Sequence, residues 1–138
     1  MAIGGLSTDA VCSVLGRTAG RRCIVMTGMG LGALFGLLGV SVHQVDAITT
    51  CLACSMAALG ICEGVFWTTA TDIGGKHRGF SGAFMNCGGN VGGLISPTLT
   101  PLLAESIGWQ RAIIVACAIS GIGGLVWFLI TPPEAEEF

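Results

Sequence analysis

The sequence predicts an all-α, polytopic membrane protein with four transmembrane helices. Three observations carry that reading. Only 10% of the 138 residues are charged, 52% are apolar, and the mean hydropathy is +0.82; soluble domains carry about 25% charge. The charges are bunched, leaving apolar windows of spanning length. Finally, 23 glycines occur without a Gly-X-Y period, the kind of enrichment that lets helices approach closely in lipid.

The start, "MAIGGLSTDA", has neither a basic nor an apolar leader segment. It reads as the inner end of a helix cut at its beginning. After Arg22 the next charge is Asp46, and between Asp46 and Asp72 there is only Glu63. Gly79 to Ala104 and Ala112 to Pro133 are free of charge. A span needs about 20 apolar residues, so four are expected within residues 1–138, near 22–43, 47–71, 79–104 and 110–131. Pro132 and Pro133 stop the last. Trp109 and Trp127, near its two ends, suit interfacial anchoring.

Orientation follows from the cations. Arg17, Arg21, Arg22, Lys76 and Arg78 fall on one side of the predicted membrane and only Arg111 on the other. The positive-inside rule places the first side, with both termini, in the cytoplasm. A plasma (inner) membrane protein is expected, with the lipid bilayer as its surroundings. Short connections leave no room for an extramembrane domain.

The same composition excludes several classes. A net charge of -2 offers no basic surface for nucleic acid. Six of seven cysteines lie inside apolar runs, and the single Cys51-x-x-Cys54 has no second pair or nearby histidine. They read as packing residues, so neither a metal nor any other cofactor is expected. His43 and His77 fall in opposite loops, and no catalytic constellation is found, so an enzyme is not expected.

Glu63 is the one acidic residue that must lie at membrane depth. A charged side chain near the centre of a span costs about 2.5–3.5 kcal/mol even on the mildest scale. Two readings stand: a proton-titrating or substrate-facing carboxylate, or a glutamate that only cross-links helices. Trp67 lies one turn on, as cavity wall or packing aromatic. Gly60 and Gly64 form a GxxxG beside Glu63 that would admit a close helix. Thr68, Thr69 and Thr71 can bond carbonyls one turn back.

Asn86 and Asn90, spaced i, i+4, share one helix face with or beside Gly89, Gly93 and Pro97. Unpaired amides in hydrocarbon cost several kcal/mol, so they need partners. Water and substrate in a cavity would serve, and so would neighbouring helices. Pro97 removes a backbone donor and suits a bending segment. In the first span, Gly28, Gly32 and Gly36 form a doubled GxxxG, read as a close helix crossing.

Residues 63–97, "EGVFWTTATDIGGKHRGFSGAFMNCGGNVGGLISP", resemble the tenth and eleventh helices of the major facilitator superfamily. The resemblance is closest to its anion:cation symporter branch, which includes organic-anion and sugar-acid transporters. It is carried by Glu63, Gly64, Phe66, Trp67, Thr71 and Asp72, a basic loop, then Asn86, Gly89, Asn90, Gly93 and Pro97. "GLSTD", with Gly5 and Asp9, followed by "GRTAGRR", with Arg17, Gly20, Arg21 and Arg22, resembles the cytoplasmic loop between the eighth and ninth helices. Ten residues separate Asp9 from Gly20, more than in the compact signature.

The resemblance implies that the chain is helices nine to twelve of a twelve-helix fold, the C-terminal part of a secondary transporter working by alternating access. Its partners would be the missing N-terminal helices, a small organic anion and a coupling ion, H⁺ or Na⁺. The family's anion-anchoring arginine and main coupling carboxylates would lie in those missing helices, so the chain is expected not to transport alone. A different class also fits the size: a self-sufficient four-helix membrane protein, oligomeric through its GxxxG faces, acting as a small exporter or a structural subunit.

Overall fold

A computed structural model describes residues 2–130, with side chains described for Thr8 and from Ala10 onward. The tail 131–138, with Pro132, Pro133 and the acidic residues, lies outside the described residues. So does the side chain of Asp9, although the backbone at Gly5 and Asp9 is helical.

Five α-helices follow in chain order: α1 (Ala2–Leu15), α2 (Arg17–Ser41), α3 (Val45–Gly74), α4 (Arg78–Ile107) and α5 (Trp109–Val126). No strand occurs among the described residues. Three continuous helical stretches are long and apolar enough to cross a membrane: 17–41, 45–107 and 109–129. The middle one has 63 residues, but it is not one rod. At Gly75 the backbone takes φ 48, a conformation that favours glycine, and a 3-10 turn over Gly75–His77 reverses the chain. The Ser81 hydroxyl on α4 then reaches back 2.6 Å to the Ala70 carbonyl on α3. The stretch is therefore an antiparallel pair. At 30 residues each, its arms are about 45 Å long, more than a hydrocarbon core of about 30 Å requires. Asp46 and Asp72 can thus stand outside the apolar layer.

Two boundaries differ from the expected ones for identifiable reasons. The basic segment before the first span, expected as a loop, is largely helical: α1 packs on α2 and α3 and is interrupted only at Gly16, whose φ is 83. There the chain makes an elbow tight enough that a Cβ at Gly20 would lie 2.8 Å from the Cys12 Cα. At the other end α5 stops at Val126 and tightens into a 3-10 turn, Trp127–Leu129. Pro97 and Pro101 do not interrupt α4.

Helix α2 packs against α1, α3 and α5, whereas α4 packs against α3 and α5 and makes no contact with α2. Four long helices thus form a ring with α2 and α4 across the diagonal. The core, Ile24, Val25, Cys62 and Val65, lies where α2 meets α3. Its tightness follows from the glycine stripe of α2. A Cβ at Gly28 would collide with the Cys62 sulfur; one at Gly32 would sit 2.9 Å from Leu59 Cγ, and one at Gly36 2.6 Å from the Cys117 sulfur. Elsewhere the molecule is apolar outward. Phe84, Leu94 and Leu129 are each more than 70% exposed, a distribution suited to lipid or further protein rather than water.

Several hydroxyls follow the rule of a medium without water, in which polar groups must be satisfied internally. Thr27, Ser41, Thr49, Thr68 and Thr71 each donate to a carbonyl one turn earlier on their own helix. Ser55 instead crosses to the Gly32 carbonyl on α2, at 2.7 Å. Thr69 departs from its expected back-bond. Its hydroxyl is buried with no hydrogen-bond partner, because the stripe Ala58, Cys62, Val65, Thr69 is the face α3 turns inward.

Candidate functional site

A cavity of 390 Å³ opens between α3 and α4 and is closed at one end by the turn after α5. On α3 the spacing Glu63, Trp67, Ala70 puts one helical face onto it. From α4 come Met85, Asn86 and Gly89, and from the end of α5 Trp127 and Ile130. Each wall has a local cause. A Cβ at Gly82 would stand only 3.1 Å from Trp67 Cζ3, so the bare backbone there lets the indole lie against α4. At Gly89 a Cβ would meet nothing within 4 Å, so that glycine leaves open space. Phe66 and Trp127 support the far wall, their ring centroids 5.1 Å apart and inclined at 46°.

Of the residues singled out from sequence, Glu63, Trp67 and Asn86 therefore share one cavity, with Gly89 beside them. Asn90 is not in the lining. Its amide donates 2.9 Å to the Asn86 carbonyl one turn back, and the side chain is exposed. Gly93 and Pro97 continue along the same exposed stretch of α4, outside the cavity. The expected close packing at Gly60 and Gly64 is not made: a Cβ at either would meet nothing within 4 Å among the described residues. With Ala58, Cys62 and Val65 buried at helical spacing, positions 60 and 64 lie off the packed face.

The basic end is organised separately. Arg21 on α2 donates from Nη2 to Asp72 Oδ2 at 2.6 Å, tying the start of α2 to the end of α3. Arg22 donates to the Ile130 carbonyl at 3.2 Å and lies 6.0 Å from the Phe128 ring centre. Lys76 sits in the 3-10 turn and Arg78 opens α4; Arg17 opens α2. None of these cations lines the cavity. All seven cysteines are free thiols.

Sequence reasoning missed Phe66, Thr69, Met85 and Trp127 as cavity residues. Phe66 and Thr69 were legible as neighbours of Trp67 on α3. Trp127 was not, because its position depends on where α5 ends against α3. It packs on Phe66 as part of the cavity wall, a role the expectation of an interfacial anchor did not include.

Helices apolar enough to cross a membrane, packed around an open, polar-edged recess, point to an integral membrane protein. The particular family is given by comparison: the chain belongs to the Major Facilitator Superfamily, which it matches over residues 1–138. It is 27% identical over 94% of its length to a probable sulfoacetate transporter of Cupriavidus necator, covering 31% of that protein. It is 28% identical over 96% of its length to a chloroplastic ascorbate transporter of Arabidopsis thaliana, covering 25% of it. It is 30% identical over 91% of its length to the sodium-dependent phosphate transport protein 1 of Homo sapiens, covering 28% of it. The chain thus spans about a quarter to a third of these relatives' length. No solved structure matches it.

Proposed function

We propose that the chain is the C-terminal portion of a secondary active transporter for a small organic anion, a sugar acid or carboxylate, coupled to H⁺ or Na⁺ and working by alternating access in the plasma membrane with both chain ends in the cytoplasm. The cavity bounded by Glu63, Trp67 and Asn86 carries this reading. It is a polar-edged recess in an otherwise lipid-compatible bundle, where a translocation path between two halves of a transporter would run. Three relatives named for sulfoacetate, ascorbate and phosphate support an anionic substrate. The uncovered face of α4 from Phe84 to Leu99, exposed throughout apart from the partly covered Met85, supports a missing opposing half. On this reading the chain does not transport alone.

Two readouts test the proposal together. A blot of native membranes with an antibody to the tail "TPPEAEEF" should show a band about three times the length of the chain, as the relatives' coverage suggests. Vesicles carrying that polypeptide should accumulate a labelled organic anion under an ion gradient, and vesicles carrying the 138-residue chain alone should not. A native band at 14.0 kDa, with uptake by the short chain, would move the function to a self-sufficient oligomeric exporter.

A further inference from the structure

We infer that the α3–α4 cavity receives a cationic group of its ligand, an organic ammonium, so that the anion transported also carries an amine. This rests on the transporter reading above and narrows its substrate class. The lining holds one carboxylate, Glu63, and three aromatic rings, Phe66, Trp67 and Trp127. It includes no lysine, arginine or histidine. An anionic group placed against this wall would face a carboxylate, with no cation among the lining residues of this chain to offset the repulsion. A positive group meets the opposite situation, since the faces of tryptophan and phenylalanine attract cations and a carboxylate completes the charge pair.

Two of the protein's own guanidinium groups are engaged elsewhere. Arg21 is bound to Asp72, and Arg22 is held at the Ile130 carbonyl near the Phe128 ring. A bare metal cation fits less well than an ammonium. Hard cations take a shell of several oxygen ligands, and beside Glu63 the lining side chains offer only the Asn86 amide and the Thr69 hydroxyl, the latter buried. An alkylammonium needs few acceptors and gains from apolar and aromatic contact along its carbon chain. The anionic end of such a ligand lies outside this lining.

The test uses the full-length transporter and pairs of probes differing in one group: 2-aminoethanesulfonate against 2-hydroxyethanesulfonate, and 3-aminopropanoate against 3-hydroxypropanoate. Binding is measured by titration calorimetry on purified protein, and uptake separately in proteoliposomes. The ammonium member of at least one pair should bind about tenfold more tightly than its hydroxyl twin, and in Glu63→Gln that ratio should fall to near one. Equal or weaker binding of the ammonium members in the native protein, or no binding by any of them, overturns the inference and needs no variant to fold. A preference that survives unchanged in Glu63→Gln also overturns it. Ammonium binding without uptake would sink the transport reading and leave the site standing, whereas uptake without ammonium preference would do the reverse.

Discussion

Asn86 and Asn90 share a helix face yet meet different surroundings. Asn86 looks into the cavity, while the Asn90 amide is turned back onto the Asn86 carbonyl at 2.9 Å. Replacing Asn90 by alanine removes one exposed intrahelical hydrogen bond, worth roughly 0.5–1.5 kcal/mol. The fold of the full-length transporter should tolerate that, and expression in the membrane should stay close to normal. Uptake is expected to fall about tenfold, equivalent to ~1.4 kcal/mol, if Asn90 meets the opposing half or the substrate. Parallel loss of expression and uptake would instead make Asn90 a folding residue.

At the scale of elements, the α2–α3 crossing is set by side chains that are absent. Gly28, Gly32 and Gly36 let α3 and α5 approach until the sulfurs of Cys62 and Cys117 and the Leu59 side chain occupy the space of missing β-carbons. Gly28→Ala is therefore expected to destabilise the bundle by about 1–3 kcal/mol through overpacking, read as a lower unfolding temperature in detergent. Because the clash is with the Cys62 sulfur, adding Cys62→Ala should recover part of the loss, although the Ala58 carbonyl at 3.0 Å remains close. Strict additivity of the two changes would show that the contact is not shared. Gly60→Ala serves as a control and should cost little, since its β-carbon would meet nothing within 4 Å.

For the molecule as a whole, the Arg21–Asp72 pair joins elements 51 residues apart in sequence at the basic end of the ring. Arg21 is almost wholly buried, whereas the Asp72 side chain is 36% exposed, so water screens part of the attraction. Losing the partner still leaves a desolvated guanidinium. Asp72→Asn should lower stability by about 1–3 kcal/mol, measured as an earlier thermal transition of the detergent-solubilised transporter. The double variant Arg21→Ala/Asp72→Asn should be less destabilised than the sum of its single changes. A double variant no better than that sum would show that the two groups do not act as a pair.

The four apolar runs, the helical class and the i, i+4 placement of the asparagines were all legible in the chain. Each depends on local order: hydropathy over a window of spanning length, and a fixed rise and turn per residue. The glycine stripe of α2 was legible for the same reason, as three positions four residues apart must fall on one face. Tertiary structure alone decided which glycine pairs meet a neighbour. Gly28 and Gly60 sit in the same kind of motif, yet among the described residues only the first faces a packed helix, and nothing in the local spacing says which side a partner will take. The same holds for Trp127, whose place on Phe66 depends on α5 ending where it does, and for Arg21 choosing Asp72 across 51 residues. Periodicity orients a side chain on its own helix. Only the packing of one helix on another determines what that side chain meets.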